Sequence, residues 1–366
     1  MSIIPVLGLM SGTSFDGIDT SIVFTDGVKL YRTNFNTITP YQEKTQELIK
    51  DMIQNPRKIT AKSKKVLYLE ELITYEHATA TKSLIKKSNI IPKLVGFHGQ
   101  TIFHDPLNFT SIQLGNGKLL SKLLKLDVAY DFRSNDLNNG GQGAPIAPIY
   151  HKHIIQNLKI TLPSIIINIG GISNITYWDG KKLLGFDAGP GNNLMDHYTQ
   201  TKLNKKFDEN GQIASTGRPN IGLAENYLKQ NYFYLLPPKS IDRSHLIENQ
   251  IYKLIMSLDP KQALATLSYI TLKSITKSID LLPQKPNSCI IVGGGEHNKY
   301  LVKMIKNELD LNVMTAGNIN LPTDFIEAEL IAFLSARSYY NFPITFPSTT
   351  GVKKPLTGGK IEVYIK

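Results

Sequence analysis

The sequence of 366 residues contains one cysteine, Cys289, so no disulfide can form within the chain. Such cysteine usage is typical of a reducing compartment, and we expect a cytoplasmic protein. No apolar run is long enough for a membrane-spanning helix, and the first residues, MSIIPVLGLM, lack the basic region of a signal peptide. We therefore expect no membrane partner and no secretion.

Arginine-rich runs and aromatic ladders, which are typical of nucleic-acid-binding proteins, are also absent. The 41 Lys and Arg residues outnumber the 30 Asp and Glu residues, which gives a net charge of +11, but the lysines are scattered along the chain. We attribute this excess to compositional bias, which an anionic substrate would also favour. We expect no nucleic-acid partner.

Several common catalytic motifs are missing. The chain has no G-x-x-x-x-G-K-[ST] phosphate loop, no G-x-G-x-x-G that opens a helix after a first strand, and no G-x-S-x-G. His151 and His153 flank a lysine, but no cysteine or acid completes a zinc site there. A P-loop ATPase and a zinc site are therefore excluded, and a Rossmann dehydrogenase and a serine hydrolase are poorly supported.

The sequence does contain one local plan twice. Residues 3–35 alternate as strand, glycine-rich turn, strand, Asp-Gly turn and strand, and residues 164–187 repeat that order. Apolar residues at helical spacing predict a helix over 65–85, and Asp324 with Glu327 forms a capping box that predicts a helix over 324–340. Two such meanders half a chain apart indicate a duplicated α/β domain, with a cleft between the copies.

Glycine-rich turns follow three predicted strands, at residues 12–17, 170–171 and 293–295. Glycine lets backbone N–H groups approach an anion closely, and turns or helix starts aim those donors at phosphate oxygens. One such turn is compatible with a plain hairpin. Three of them favour a nucleotide-binding site.

Acidic residues accompany these turns. Transfer of a phosphoryl group from ATP needs Mg²⁺ near the phosphates and often a carboxylate that activates the nucleophile. Asp16 and Asp19 stand in the first glycine turn, and Asp187 stands at the predicted end of a strand, before Gly189-Pro190-Gly191. Each acid has a plainer alternative, since Asp187 could cap a turn and Asp19 could face outward from its strand.

Two further polar stretches suggest ligand contacts. In GFHGQT, His98 and Gln100 flank a glycine at what we predict to be a strand end. Arg133 lies in the long polar stretch over 131–148, and long structured loops are usually functional. A guanidinium can hold a carboxylate in bidentate fashion. The alternatives are a structural histidine at position 98 and a surface salt bridge at Arg133.

Taken in order, these stretches resemble one family. GLMSGTSFDGID, GFHGQT, DFRSNDLNNGGQGAP, NIGGISNIT, GFDAGPGNNLMD and VGGGEHN follow one another as in anhydro-N-acetylmuramic acid kinases, and the match runs from Gly8 to about Gly351. The resemblance implies two related α/β domains of the actin-like ATPase (ribonuclease H-like) fold around a central ATP cleft. Domain I would comprise residues 1–131 and 343–366, and domain II residues 132–342.

The resemblance also implies a reaction. With ATP and Mg²⁺, the enzyme would hydrolytically open 1,6-anhydro-N-acetylmuramic acid and phosphorylate O6, giving N-acetylmuramic acid 6-phosphate and ADP in bacterial cell-wall recycling. The partners of the enzyme would be the small amino sugar and ATP. Whether two copies of the chain form a homodimer is left open by the resemblance.

The resemblance assigns roles to individual residues as well. Asp187 corresponds to the general base that activates water. Glu327, which a capping box would also explain, lies near the sugar in the family. The implied nucleotide-binding residues are Gly12, Thr13, Ser14, Phe15, Asp16, Gly17, Ile18, Asp19, Gly170, Gly171, Asn174, Gly293, Gly294 and Gly295. The implied sugar-binding residues are His98, Gln100, Arg133 and Glu327.

The chain departs from the family pattern in two places. Ala188 stands where the family often has threonine, and PPKSIDRSH at 237–245 replaces a usual Pro-Pro-Lys-Ser-Thr-Gly-Arg, which leaves the sugar-side contacts of Lys239 to Arg243 open.

The sequence leaves two alternative functions open. One is a kinase of the same superfamily that acts on a simple hexose without hydrolysis. The other is a non-catalytic ATP-binding protein of the actin or chaperone type, which would not need Asp187.

Overall fold

The structure is a computed structural model that describes residues 1–12, 15–54, 63–106, 108–241, 246–247 and 249–365. The chain divides into two compact units. Unit 1 comprises Met1–His153 and Asp324–Lys366, and unit 2 comprises Ile154–Thr323. Elements are numbered below in chain order.

Unit 1 is built on one β-sheet. Its strands are β1 (Ile4–Ser11), β2 (Gly17–Thr25), β3 (Leu30–Pro40), β4 (Leu94–Asp105), β5 (Thr110–Leu114), β6 (Asp127–Tyr130) and β12 (Lys360–Glu362). Its helices are α1 (Glu43–Gln54), α2 (Lys64–Ser88), α3 (Gly117–Leu124), α4 (Ser134–Asn138), α5 (Pro148–Asn157), α11 (Ile326–Tyr339) and α12 (Pro347–Thr350). The chain passes into unit 2 inside α5.

Unit 2 is built on a second sheet. Its strands are β7 (Ser164–Ile169), β8 (Ile172–Trp178), β9 (Leu183–Pro190), β10 (Ser288–Val292) and β11 (Asn312–Thr315). Its helices are α6 (Asn193–Leu203), α7 (Ile221–Tyr227), α8 (Gln250–Ile255), α9 (Pro260–Asp280) and α10 (Lys299–Glu308), and a 3₁₀ turn covers Gly294–His297.

The two sheets share one topology. Their spatial orders are β3-β2-β1-β4-β6 and β9-β8-β7-β10-β11, to which unit 1 adds β12 beside β6 and β5 beside β4. In each sheet the first three strands pair antiparallel, and the next two continue in parallel from the first. The predicted duplication is therefore confirmed, and with it the predicted α/β fold class.

The bounds of the units differ from those of the predicted domains. Residues 132–153 and 324–342, predicted to belong to domain II, lie in unit 1. The reason is packing, because α11 lies against β1, β2 and β4. The buried Glu329 of α11 also pairs with Arg32 of β3 at 2.9 Å and accepts a hydrogen bond from the Tyr150 hydroxyl at 2.6 Å. Neither bond can be read from local sequence.

The predicted helix over 65–85 is confirmed by α2, but the predicted capping box is wrong. Asp324 lies in the 3₁₀ turn Thr323–Phe325, and α11 begins only at Ile326. Phe325 occupies the position before the first helical residue, and no side chain caps the helix there. Glu327 is thus the second residue of α11 and not the third residue after an Asp324 N-cap.

Close contact between α11 and the sheet depends on a glycine. A Cβ atom added to Gly8 of β1 would lie 1.9 Å from the carbonyl oxygen of Ala328, well inside the closest distance that two such atoms tolerate. Ala328 itself is fully buried. The absence of a side chain at residue 8 therefore lets the first turn of α11, which carries Glu327, lie directly on β1.

None of the helices in the described part of the chain is long and apolar enough to cross a membrane.

This packing predicts that Gly8→Ala destabilises the protein. The added methyl group must push the α11 backbone away, and overpacking of this kind costs about 1–3 kcal/mol. Urea unfolding measures the loss. Gly222→Ala in α7 is the matched control, because the nearest atom to its added Cβ is 3.6 Å away and alanine favours a helix by about 1 kcal/mol. Equal stability of Gly8→Ala and the parent would contradict the packing described here.

Candidate active site

The first glycine-rich turn joins β1 to β2 in unit 1. Its Thr13-Ser14 pair lies outside the described residues. Phe15 has a positive φ of 46°, and its N–H donates to the Gly12 carbonyl at 3.2 Å. The carbonyl of Asp16 accepts a hydrogen bond from the N–H of Tyr41 at 3.2 Å. The turn is therefore tied to its own start and to the end of β3.

The first residues of β2, which follow this turn, differ in their surroundings. Gly17 begins β2 opposite Pro40. The side chain of Ile18 is fully buried in the core of unit 1, so that side chain does not reach a ligand. Asp19 follows on β2, paired with Met10 on one side, and is partly buried.

Asp19 is surrounded by other acids of unit 1. Burial, and then repulsion from Glu327, Asp16 and Asp324, raises the pKa of Asp19 from its usual 3.8 to about 7. The structure thus brings Glu327 and Asp324, distant in sequence, to the first glycine turn. Among the described residues, no group of three or more His, Cys, Asp or Glu side chains is placed to hold a metal ion directly.

His98 and Gln100 lie within a strand and not at its end, which corrects the prediction. β4 continues to Asp105 because it pairs there with β5. The pairing of β4 with β1 shifts register in between, from Leu9 opposite Phe97 to Ser11 opposite Gln100. β4 therefore carries one extra residue, a β-bulge, and such bulges redirect side chains.

His98 binds Arg133. Its Nδ1 lies 3.0 Å from the carbonyl oxygen of Gly99, which can only accept, so Nδ1 carries the proton. Nε2 is then the acceptor for the Arg133 Nε–H, at 3.2 Å. Burial, and then the nearby Arg133 charge, lowers the pKa of His98 to about 3, so the ring stays neutral. With both ring nitrogens engaged, we infer that His98 acts on a ligand through Arg133.

A buried acid that the motifs did not single out shapes the loop beyond Arg133. The Arg133 Nη1 donates to the carbonyl of Gly143 at 2.7 Å. The N–H of Gly143 in turn donates to Asp136 at 2.7 Å, and the Thr350 hydroxyl donates to the other Asp136 oxygen at 2.6 Å. An acid within a stretch rich in Asn and Gly is the one sequence signal for this role.

In unit 2, the carboxyl ends of β7, β9 and β10 meet at one edge of the sheet. The Gly170-Gly171 turn follows β7, and its two carbonyls accept hydrogen bonds from the N–H groups of residues 191–193 at 2.8–3.2 Å. These residues connect β9 to α6. The turn is thus held by the start of α6, and two of the predicted glycine turns share this edge.

The third glycine turn follows β10 at the same edge. Gly293 has a positive φ of 81°, and a Cβ atom there would lie 2.2 Å from the Asn168 side-chain oxygen. Gly295 is buried against Ile169, whereas Gly294 is exposed and has no atom closer than 4.0 Å to an added Cβ. The backbone of Gly294 is therefore the part of this turn that a ligand could approach.

Asn174 lies on β8 between Asn168 of β7 and Asp187 of β9. Its side-chain oxygen is buried and has no hydrogen-bond partner among the described residues. Buried acceptors are nearly always paired. Asn174 is therefore a position at which bound water or a ligand could donate a hydrogen bond.

Asp187 is buried inside β9, not at its end, because the strand continues to Pro190. One carboxylate oxygen accepts a hydrogen bond from the N–H of Ile241 at 3.1 Å. The backbone N–H of Asp187 donates to the Lys239 carbonyl at 2.9 Å, and its carbonyl accepts from the Tyr232 hydroxyl at 2.6 Å. The segment 239–241 thus runs along β9 and holds this acid.

Lys239 lies beside Asp187, joined to it through the backbone hydrogen bond. Its ammonium is buried and donates to the carbonyl of Tyr232 at 3.0 Å. Burial lowers the pKa of Lys239 to about 8, against the attraction of Asp187, which raises it. Tyr232 had no motif to mark it, while residues 242–245 of the divergent stretch lie outside the described residues.

Glycine turns at strand ends occur in both units, with a crowded acid group in unit 1 and a buried carboxylate in unit 2, and phosphoryl-transfer enzymes use features of these kinds. The family model described as anhydro-N-acetylmuramic acid kinase matches residues 4–364. The chain belongs to the anhydro-N-acetylmuramic acid kinase family and is therefore an enzyme that uses ATP. The resemblance is confirmed, and a non-catalytic ATP-binding protein is excluded.

Two relatives carry the name of this family. An anhydro-N-acetylmuramic acid kinase from Zymomonas mobilis subsp. mobilis is 36% identical over 366 residues, covering 97% of this chain and 99% of the relative. One from Pelagibacter ubique is 38% identical over 365 residues, covering 96% of each. Component A of (R)-2-hydroxyglutaryl-CoA dehydratase from Acidaminococcus fermentans is a solved structure with a TM-score of 0.47 and 11% identity, covering 92% of this chain and 99% of that one.

The acid group in unit 1 predicts an unusual dependence of stability on pH. The folded protein keeps a proton on Asp19 up to about pH 7, whereas the unfolded chain loses it near 3.8. Between these values the folded state binds more protons, so rising pH destabilises it, by at most about 1.4 kcal/mol per pH unit. Asp19→Asn lacks this contribution, so its free energy of unfolding should rise relative to the parent from pH 4 to pH 7.

Urea unfolding at intervals between pH 4 and pH 9, without nucleotide or Mg²⁺, measures the difference between the two proteins. The difference should level off above about pH 8, where Asp19 is ionised in both states. A difference that does not change with pH would show that Asp19 titrates normally in the folded protein.

Proposed function

We propose that this enzyme hydrolytically opens 1,6-anhydro-N-acetylmuramic acid and transfers the γ-phosphate of ATP to O6, giving N-acetylmuramic acid 6-phosphate and ADP. The family supplies the substrate and the kinase activity. The observation that carries the hydrolytic step is the buried Asp187 carboxylate, held beside Lys239. The proposed setting is cell-wall recycling in the bacterial cytoplasm.

Asp187 is the proposed general base. A base must be ionised and fixed in position at working pH. The Ile241 N–H and the Lys239 ammonium both favour the carboxylate over the carboxylic acid. Asp187 takes a proton from water as the water oxygen bonds to C1, and the bond between C1 and O6 breaks. O6 then bonds to the γ-phosphorus as the bond from that phosphorus to ADP breaks.

The proposed nucleotide contacts are the glycine turns, taken unit by unit. In unit 1, backbone groups of the turn over 12–17 would hold phosphate oxygens. In unit 2, the Gly170-Gly171 turn would do the same, because residues 191–193 already bind its carbonyls and fix its orientation. Gly294, with open space beside it, would lie against the adenosine.

Mg²⁺ is the proposed metal, because it neutralises phosphate charge during phosphoryl transfer. Asp16 and Asp19 are the carboxylates of unit 1 that would hold it. Burial is the largest cause of the raised pKa of Asp19, and the repulsion from Glu327, Asp16 and Asp324 that adds to it is what a cation would relieve. Mg²⁺ usually keeps several waters and takes only one or two carboxylates alongside the substrate phosphates.

For the sugar we propose Arg133 and Glu327. Arg133 would bind the lactyl carboxylate, which a guanidinium can hold with two parallel hydrogen bonds. His98 and Gly143 fix two of the nitrogens of Arg133 and thereby the plane of its guanidinium. Glu327 would accept from sugar hydroxyls.

An isotope experiment tests the reaction. In oxygen-18 water with ATP, Mg²⁺ and the anhydro-sugar, mass spectrometry should find the heavy oxygen at the anomeric position of a sugar phosphate. No label should enter phosphate, because water attacks carbon and O6 attacks phosphorus. Labelled free phosphate with unchanged sugar would make the protein a plain ATPase. Turnover of an ordinary hexose in place of the anhydro-sugar would favour the simpler sugar kinase.

Asp187→Asn should abolish most of this turnover. The amide has nearly the same shape but cannot accept a proton, and loss of a general base typically lowers turnover by about 10²–10⁴-fold. Phosphorylation should fall equally, because O6 is released only when the ring opens. Nucleotide affinity, measured by calorimetry, should stay near that of the parent.

Asp179→Asn is the matched control in the same sheet. Asp179 lies in the β8–β9 hairpin, where it accepts hydrogen bonds from the N–H groups of Lys181 and Lys182 at 2.8 and 2.7 Å. It should keep full turnover. If Asp187→Asn instead weakened nucleotide binding and turned over normally at saturating ATP, Asp187 would hold metal or phosphate, and the mechanism would lose its base.

A further inference from the structure

We propose that Gln100 is a positioning residue for the first phosphate turn, and not a residue that binds the sugar. The proposal rests on the proposed function in one respect, namely that the turn over 12–17 holds the phosphates of ATP. Family resemblance alone groups Gln100 with His98 and Arg133 on the sugar side. The hydrogen bonds in unit 1 separate it from them.

The amide nitrogen of Gln100 is fully engaged inside the protein. The side chain is 0% exposed. Its oxygen accepts a hydrogen bond from the Ser11 hydroxyl. Its nitrogen donates to the Gly12 carbonyl and to the Thr101 carbonyl, each at 3.2 Å. An amide nitrogen has two N–H groups. Both are used, so none is left to donate to a sugar hydroxyl.

Each of these bonds has a consequence for the turn. Ser11 is the last residue of β1 and Gly12 is the first residue of the turn. The Gln100 amide therefore binds the two residues at which the strand ends and the turn begins. The Gly12 carbonyl also accepts a hydrogen bond from the N–H of Phe15, so holding this carbonyl holds both the start of the turn and the residue that leads back toward β2. Backbone N–H groups bind an anion only when their planes are aligned toward it. The Ser11 hydroxyl fixes which end of the amide is the donor.

The bulge in β4 explains why Gln100 contacts the turn whereas His98 contacts Arg133. Without the extra residue, β4 would continue to pair with β1 in its earlier register. With it, Gly99 adopts a φ of +73°, Gln100 comes to lie opposite Ser11, and His98 is left to bind Arg133. Two polar residues on either side of one glycine therefore serve two different places in unit 1, namely the start of the turn and the Arg133 side chain.

Gln100→Met tests the proposal, because methionine fills a similar volume and has no N–H groups. We expect the dissociation constant of a non-hydrolysable ATP analogue with Mg²⁺, and the KM for ATP, to rise about tenfold, the usual effect of losing one well-placed hydrogen bond. The KM for the sugar should stay within about twofold. Ser11→Ala should change the same two nucleotide constants in the same direction, by a smaller factor, because the amide loses only its orienting partner.

Two further variants serve as comparisons for Gln100→Met. Arg133→Lys should show the opposite pattern, with a raised KM for the sugar and unchanged nucleotide affinity, since lysine cannot form the guanidinium fork. Gln113→Met on the neighbouring β5 is the matched control. Within the described residues, its amide nitrogen donates to the hydroxyls of Thr101 and Ser111, at 3.3 and 2.7 Å, and not to the turn, so neither constant should change.

The outcomes separate the proposal from its alternatives. A raised KM for the sugar with unchanged nucleotide affinity in Gln100→Met would make Gln100 a sugar-binding residue. No change in either constant would reduce the hydrogen bonds to a purely structural role. If Gln100→Met fails to fold, Ser11→Ala decides between these outcomes by the same two constants. Binding of the analogue involves no sugar chemistry, so the result holds even if the hydrolytic step proves wrong.

Discussion

Parallel pairing beside the first strand of each meander is the constraint on which the rest of the structure depends. In unit 1, β4 runs parallel to β1, and in unit 2, β10 runs parallel to β7. Parallel neighbours place their carboxyl ends at the same edge of a sheet, where ligands bind in open α/β folds. The glycine turns after β7 and β10 lie together for this reason. An antiparallel partner at the same place would have sent the second turn to the opposite edge.

The two proposed chemical roles for acids are set by opposite surroundings. Asp19 is partly buried and stands among other carboxylates, and burial first and then their repulsion raise its pKa to about 7. Asp187 stands beside a buried ammonium and accepts a backbone hydrogen bond, which both favour its anion. Carboxyl groups placed in contrasting environments commonly take contrasting tasks in one enzyme. Here one environment suits a site that recruits a cation, and the other suits a group that removes a proton.

Local sequence predicts much of this fold. The strands can be recognised from their apolar or alternating residues, and the turns from Asp-Gly and glycine-rich composition. The doubled meander, α2 and the three glycine turns all follow from such patterns. What local sequence misses depends on long-range pairing: β9 continues past Asp187, β4 continues past Gln100 because β5 returns beside it, and α11 joins unit 1 through Glu329. The roles of individual site residues stay predictions, and the partners of His98 and Gln100 could not be chosen from spacing.

The bulge at Gly99 also has a meaning for inheritance. Side chains along a strand alternate between two faces, so one residue more or less exchanges the faces of everything beyond it. A β-bulge absorbs such a change, because two residues of the bulged strand lie opposite one residue of its neighbour. On β4 the extra residue lies between Phe97 and Gln100, and the pairing with β1 resumes where Gln100 lies opposite Ser11. The bulge is therefore a place at which the strand can hold one residue more or less while the residues beyond it keep their faces.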